Sequence, residues 1–422
     1  MTTHGGPART LDVRRLAKVS LVTVGVGVGA GLAGIAIVLV LTATAWLAFG
    51  HIPGERTLLA SFQATPPWRR FAALLVAGMV GAIGWYLLRR GSAPVRTDED
   101  IVAGARTPAA KTVADALLQM AVIGLGASTG RELAPRQLGA LVGAWLSDRT
   151  GLTAGERRAL VACGAGAGLA AVYDVPLGGA IFALEVLFLG LRTQAIVMAI
   201  TTSAVAALIG RMLVPDRPLF ELGTLEATPS LWVWALIAGP LFGLGGAWFT
   251  RSTGWLVQRR PSGTRILWVM PLVFAGVGLL AWPLPAVLGD GAALSSTAFD
   301  ADTLLALLVL VIVVKLVATL ATFASGAAGG TMTPSVAFGA ALGALTGGLW
   351  SMLWPGTELA ALAVVGAAAF LASAIRAPIT ATVLVLEFTG QGLGFALLPL
   401  IAGAGSAAVG RLIEHTRITG AD

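Results

Sequence analysis

The sequence is poor in charged residues and contains a single cysteine. Only 12% of its 422 residues are Asp, Glu, Lys or Arg, whereas 56% are hydrophobic. Soluble globular domains carry about a quarter charged residues, so this composition excludes a chain of soluble domains and indicates an integral membrane protein. Cys163 has no second cysteine to pair with, which excludes a disulfide or a thiolate metal site within one chain. Since it lies among small apolar residues, we interpret it as a packing residue.

Histidine is also scarce, which bears on catalysis. His4, His51 and His415 all lie outside the apolar segments, and no His-Glu-x-x-His motif is present. A hydrolytic site in a membrane needs a serine–histidine pair or a metal constellation. The sequence therefore predicts a protein that is not an enzyme and holds no cofactor or metal.

Basic residues outnumber acidic ones, giving a formal net charge of +7. They are spread over short loops and the termini rather than one patch, so the positive-inside rule explains them and a nucleic-acid partner is not expected. Four basic residues precede the first apolar run, 20–49: Arg9, Arg14, Arg15 and Lys18. They predict a cytoplasmic N-terminus, a retained first span and a multi-pass protein of the plasma membrane.

Many apolar runs follow along the chain, and several are shorter than the about 20 residues that a full span requires. Short runs interrupted by Gly and Pro are typical of broken helices, which are tolerated where protein covers the freed backbone or where it lines a cavity. The sequence predicts an all-α integral membrane protein, a bundle of many tilted, partly discontinuous helices.

One stretch, 124–139, places the pair Arg131-Glu132 in a glycine-rich segment between two apolar runs. Ionisable groups at membrane depth are costly and usually face a pathway or a cavity. Glu132 is therefore the leading candidate for a functional residue, and an acid at a helix end that reaches water or headgroups is the alternative.

The chain also contains an internal repeat. The segment 164–185 realigns with 366–387, and the two share the proline and the terminal Leu-Glu; upstream, 126–144 realigns with 326–344 at nearly the same offset. Two related halves therefore meet in one bundle. The predicted organisation is an N-terminal cytoplasmic segment (1–18), a first membrane repeat (19–214), a linker (215–230), a second membrane repeat (231–413) and a cytoplasmic tail (414–422).

Both halves place a glycine-rich stretch before a helix, at Gly130 and at Gly330. A helix N-terminus offers unpaired N–H groups and the positive end of the helix dipole, so it binds anions. Glycine permits close approach to a bound ion, and Pro334 suits a first helical turn. The predicted ligand is a small anion at the repeat interface. Four further glycines are interpreted as helix-packing residues: Gly139, Gly143, Gly339 and Gly343.

Three other charged positions have structural interpretations. Lys315 is expected to be paired internally or to reach the interface, with a counter-charge for the pathway as the alternative. Glu185 and Glu387 occupy equivalent places in the two halves, which favours a helix-terminus role. Thr97 and Thr153 are each followed three residues later by an acid, which predicts a helix N-cap at both.

Together these features resemble the CLC family of chloride channels and proton-coupled chloride transporters, over about residues 20 to 413. Gly130-Arg131-Glu132 matches the first three positions of the family's Gly-Arg-Glu-Gly-Pro, although Leu133-Ala134 departs from it. The second signature, Gly-x-Phe-x-Pro, is matched by 330–334 except that Met332 replaces Phe.

The resemblance implies a homodimer in the lipid bilayer with one pore per subunit, two inverted repeats, and Glu132 as a gating glutamate that occupies an anion site when ionised. It implies backbone anion ligands at five residues: Arg131, Leu133, Gly330, Thr331 and Met332. Thr97 is the best substitute for the family's pore serine, ahead of Ser92.

Departures from the family pattern bear on proton coupling. The inner glutamate of proton-coupled members falls on Val186, the inner tyrosine has no counterpart near Thr419-Gly420, and no regulatory CBS domain is expected after the last span. We therefore predict channel-like movement of chloride or similar small anions with weak or no proton coupling. The alternatives are a proton-coupled anion antiporter and, more distantly, a cation-coupled solute transporter.

Overall fold

The structure of the chain is a computed structural model. It describes residues 13–50, 57–90, 100, 102–104, 108–188, 192–214, 216–300 and 304–418.

The described residues form sixteen α-helices, eight from each half of the chain. The first half contributes α1 Val13–Phe49, α2 Leu58–Ala64, α3 Pro67–Leu88, α4 Ala109–Gly124, α5 Leu133–Thr150, α6 Ala154–Tyr173, α7 Pro176–Phe182 and α8 Thr193–Gly210. The second half contributes α9 Pro229–Gln258, α10 Ile266–Leu280, α11 Ala292–Phe299, α12 Leu305–Ala324, α13 Met332–Leu353, α14 Leu359–Ile375, α15 Pro378–Thr389 and α16 Leu397–Ile418.

Helix length and hydropathy fit a membrane bundle. Within the described residues, seven helical segments are long and apolar enough to cross a bilayer, and the longest is α1, with 37 residues and a mean hydropathy of 2.5. Only 33% of its most apolar window is buried by protein, so most of that surface is left for lipid. In contrast, α14 is buried over almost its whole length although it has only 17 residues. Short helices are thus shielded by longer ones, as expected for discontinuous membrane helices.

Helix starts follow the sequence signals closely. Thr153 forms the predicted capping box with Glu156, since its hydroxyl accepts from the Glu156 amide and the Glu156 carboxylate accepts from the Thr153 amide. Pro176 and Pro378 occupy the first turns of α7 and α15, where a missing N–H costs nothing. After α7 the backbone continues as a π-helix over Ala183–Phe188. The predicted cap at Thr97 lies outside the described residues.

The two halves repeat the same packing. In the first half α5 packs on α6, α1 on α8 and α6 on α8; in the second half α13 packs on α14, α9 on α16 and α14 on α16. Two pairs join equivalent helices of the two halves, α3 with α10 and α7 with α15. An arrangement in which equivalent elements contact each other has a two-fold relation between the halves, which agrees with the predicted bundle of two inverted repeats.

Small residues allow the closest of these contacts. A Cβ added at Gly139 would overlap the carbonyl oxygen of Gly164, and one at Gly339 would lie 2.6 Å from the carbonyl oxygen of Gly366. These contacts join α5 to α6 and α13 to α14. The interpretation of Gly139 and Gly339 as helix-packing residues is confirmed.

Each half also caps a helix of the other. Glu185 accepts hydrogen bonds from the amides of Ile379 (3.2 Å) and Thr380 (2.6 Å) at the start of α15. Glu387 accepts from the amides of Leu177 (3.0 Å) and Gly178 (2.7 Å) at the start of α7. The predicted helix-terminus role of both glutamates is confirmed, and each acts across the repeat interface.

Candidate anion-binding site

Two loops cross at the centre of the bundle, one from each half. The Gly130 amide donates to the Gly330 carbonyl at 2.9 Å, and the Gly330 amide donates back to Gly130 at 2.8 Å. Both glycines occupy the same place in the repeat, so this reciprocal pair lies on the two-fold relation between the halves. Helix α5 begins just after the crossing at Leu133, and α13 begins at Met332.

The Glu132 side chain reaches from its own loop to the start of α13. Its Oε1 accepts from the amide of Met332 and, at 3.4 Å, from that of Thr333; its Oε2 accepts from the Thr333 hydroxyl at 2.6 Å. The side chain is buried, with only 1% of its surface exposed. A carboxylate therefore occupies the N-terminus of a helix, where unpaired N–H groups and the helix dipole favour negative charge.

Glycine is required at the crossing because the carboxylate is so close. A Cβ at Gly330 would come within 3.0 Å of Cγ, Cδ and Oε1 of Glu132, and a Cβ at Gly130 would overlap both carboxylate oxygens. Neither glycine has a positive φ, so the requirement concerns space rather than backbone conformation. The two glycines make the pocket that the carboxylate fills.

Arg131 points away from this pocket, into a charged cluster. Its Nε lies 3.0 Å from Asp290 Oδ2, and its guanidinium lies over the ring of Tyr173 at 4.7 Å from the centroid. The buried Lys315 amine donates to the carbonyls of Val287 (2.8 Å) and Gly289 (2.5 Å), beside Asp290. The predicted internal pairing of Lys315 is confirmed. Its hydrogen bonds hold the loop that carries Asp290.

Tyr173, the last residue of α6, connects this cluster to Glu132. Its hydroxyl lies 3.1 Å from Thr333 Oγ1, which in turn donates to Glu132. Its ring packs against Phe388 with centroids 5.4 Å apart. The result is a continuous polar chain from Asp290 through Arg131, Tyr173 and Thr333 to the carboxylate.

A cavity of about 840 Å³ lies on the Arg131 side of the crossing. It is lined by the C-terminal half of α1, the start of α2, the segment before α9 and the region around α11, and both Arg131 and Tyr173 face it. We call it the α11 cavity.

The sequence-derived site residues fall into three groups. Gly330 and Met332 contact the Glu132 carboxylate. Thr331 is the N-cap residue of α13, and Leu133 is the first residue of α5. The Arg131 side chain belongs to the α11 cavity. Thr97 lies outside the described residues.

Three residues at the site were missed by sequence reasoning: Tyr173, Asp290 and Thr333. The first is one of only two tyrosines in the chain, which is a usable signal. Asp290 and Thr333 carry no such signal, because their place at the site depends on how α6, α11 and α13 pack together.

A membrane bundle of two inverted repeats, in which a buried carboxylate occupies a helix N-terminus beside a charged cavity, is the architecture of an anion transport protein rather than an enzyme. Comparison with known proteins makes the class specific. The sequence model of the voltage-gated chloride channel family matches residues 80–411. The chain belongs to this family, the CLC family.

Relatives and solved structures agree with this assignment. The voltage-gated ClC-type chloride channel ClcB of Escherichia coli O81 is 30% identical over 391 residues, covering 88% of this chain and 91% of the relative. ClcB of Citrobacter koseri is 29% identical over 368 residues, covering 83% and 86%.

Among solved structures, a slow cyanobacterial Cl⁻/H⁺ antiporter superimposes with a TM-score of 0.80 at 24% identity, covering 94% of this chain and 95% of that one. A CLC-type fluoride/proton antiporter gives a TM-score of 0.73 at 21% identity, covering 97% of each chain. These two similarities confirm the predicted fold.

Proposed function

We propose that the protein moves chloride or similar small anions across the membrane through a path that the Glu132 carboxylate gates. The observation that carries this proposal is the contact of Glu132 with the amides of Met332 and Thr333. A carboxylate held there stands in for a bound anion, so the two compete for one site. Protonation removes the negative charge of the carboxylate and with it the competition, which opens the path.

The other anion ligands in this proposal are backbone groups at the two helix starts. They come from Arg131 and Leu133 at the start of α5 and from Gly330, Thr331 and Met332 at the start of α13, as the family resemblance implies. The Arg131 side chain lines the α11 cavity, where Asp290 balances its charge.

We further propose channel-like movement with weak or no proton coupling as the principal mode. Val186 stands where proton-coupled members carry an inner glutamate, and it cannot bind a proton. Coupled exchange is the second candidate, supported by the two antiporters that share this fold.

We also propose, from the family resemblance and from the basic residues before α1, a homodimer in the plasma membrane with a cytoplasmic N-terminus. The α11 cavity, next to the C-terminal half of α1, then opens to the outside. The repeat boundaries 19–214 and 231–413, with the linker 215–230, belong to this proposal.

One experiment tests both the gate and the coupling. Purified protein in liposomes is given a chloride gradient in sodium-free buffer, and chloride and proton movement are recorded together. Passive chloride flux without proton movement is expected, rising as pH falls, whereas uphill proton transport in fixed ratio to chloride would establish exchange. Glu132→Gln is expected to give flux that no longer depends on pH, and a retained pH dependence would contradict the gate.

A further inference from the structure

The Thr333 hydroxyl makes a contact with the gate that a backbone amide does not supply. It lies 2.6 Å from Glu132 Oε2, while the amides of Met332 and Thr333 bond to Oε1. An ionised carboxylate only accepts hydrogen bonds, so the single hydroxyl proton of Thr333 is donated to Glu132. The Tyr173 hydroxyl, 3.1 Å from Thr333 Oγ1, must then be the donor in the second bond. Both hydroxyls are aligned toward the negative charge.

The tyrosine is held in place from two sides. The Arg131 guanidinium covers one part of its ring at 4.7 Å from the centroid, and Phe388 packs against it at 5.4 Å between centroids. Arg131 is itself fixed by Asp290 at 3.0 Å. A donor that is immobilised before the carboxylate arrives loses little conformational freedom when the bond forms.

The repeat supplies an internal comparison. With Gly130 equivalent to Gly330, Thr333 is equivalent to Leu133; Tyr173, in the 164–185 segment, is equivalent to Ile375. In each case the equivalent residue of the other half is a hydrocarbon, although the α5–α6 pair of the first half and the α13–α14 pair of the second pack in the same way. Packing does not require these hydroxyls. They occur only in the pair of helix ends that faces Glu132.

From this geometry we propose that Tyr173 and Thr333 form a hydroxyl latch, a pair of positioning residues that fastens the Glu132 carboxylate in the anion site. The latch rests on the proposed function, since it acts on the gate. It stabilises the closed, ionised position specifically, because a protonated carboxyl group is a weaker acceptor and leaves the site.

Other charged groups around the gate are identified so that the latch can be separated from them. Arg136 of α5 and the adjacent Arg131 act on Glu132 electrostatically, Asp290 acts on Tyr173, and Lys315 of α12 faces Asp290. None of these charges changes when a hydroxyl is removed. Variants at Thr333 and Tyr173 that lack the hydroxyl therefore test the latch alone.

The test is the pH profile of chloride flux in liposomes. Thr333→Val removes the hydroxyl at nearly constant volume, and loss of a hydrogen bond to a charged group changes the closed-to-open ratio about tenfold, which moves the half-maximal flux about one pH unit higher. Tyr173→Phe is expected to move it in the same direction by less, because it acts through Thr333. Thr333→Ser keeps the hydroxyl and is expected to retain the wild-type midpoint.

The Glu132→Gln background separates the latch from the gate itself. If the latch acts through the carboxylate, Thr333→Val leaves the flux in that background independent of pH, because no titrating carboxylate remains. A wild-type midpoint in Thr333→Val, with Glu132→Gln insensitive to pH, would overturn the latch and leave the gate intact. An equal change in the pH profile from Thr333→Val with and without the Glu132 carboxylate would also overturn it, since the hydroxyl would then not act through the gate. Retained pH dependence in Glu132→Gln would overturn the gate and the latch together.

Discussion

Gly330→Ala is the substitution that tests the closed gate most directly. The added Cβ would come within 3.0 Å of Cγ, Cδ and Oε1 of Glu132, and these are its three nearest atoms. The backbone cannot withdraw easily, because Gly330 exchanges two hydrogen bonds with Gly130 at 2.8 and 2.9 Å. The Glu132 side chain must therefore leave its position.

The size of the effect follows from the bonds that are lost. Non-bonded carbon atoms prefer separations of about 3.5–4.0 Å, so the carboxylate must move by more than about 1 Å. That movement breaks its bonds to the Met332 amide and the Thr333 hydroxyl, each worth about 1.5–3 kcal/mol as a hydrogen bond to a charged group. The closed position is destabilised by about 3 kcal/mol or more, and the ratio of closed to open gates falls more than about a hundredfold.

The assay is chloride flux in liposomes over a series of pH values, with thermal unfolding in detergent to establish that the variant is folded. Gly330→Ala is expected to move the half-maximal flux more than about two pH units higher, toward the pH-independent flux of Glu132→Gln. Gly155→Ala is the matched control, because its added Cβ meets nothing within 4 Å, and it should keep the wild-type profile. In a Glu132→Ala background these three atoms are absent, so the flux should be independent of pH both with and without Gly330→Ala. A folded Gly330→Ala protein with the wild-type pH profile would refute the position assigned to the carboxylate.

Three further predictions concern stability, each measured as thermal unfolding in detergent. Glu185→Gln and Glu387→Gln each remove a charged acceptor from a helix start and should cost about 1–3 kcal/mol, and an unchanged melting temperature in both would contradict the reciprocal caps. Lys315→Met leaves two carbonyls without their donor and Asp290 without its neighbouring positive charge, so a loss of about 2–5 kcal/mol is expected, and stabilisation would contradict it. Thr153→Ala removes the hydroxyl of the capping box and should cost about 0.5–2 kcal/mol. An unchanged melting temperature would contradict this contribution of the cap to stability.

The helix starts around the gate were predictable because glycine and proline act locally. The first residues of α5 and α13, Leu133 and Met332, follow directly from the glycine-rich stretches and from Pro334. Glu132 was predictable because a carboxylate in apolar sequence is costly and therefore needs a function.

What sequence could not supply is the set of contacts between distant elements. Tyr173 and Thr333 are far apart in the chain, and the value of their hydroxyls depends on the approach of the end of α6 to the start of α13. The direction of the Arg131 side chain has the same origin, since Asp290 attracts it away from the backbone that binds Glu132. The repeat can be recognised from the sequence alone, but the contacts at the site depend on how the two halves pack together.

The reciprocal glutamate contacts between the halves also limit when this interface can be completed during synthesis. The start of α7 is synthesised with the first half, but its carboxylate partner, Glu387, follows Gly178 by 209 residues. At a synthesis rate of about 5–20 residues per second, that delay is roughly 10–40 s. Throughout it the amides of Leu177 and Gly178 lack their final acceptor, and the contact between α7 and α15 cannot be completed. The second half differs, because Glu185 has already been synthesised when α15 emerges. The cap of α15 can therefore form at once, whereas the cap of α7 must wait for Glu387.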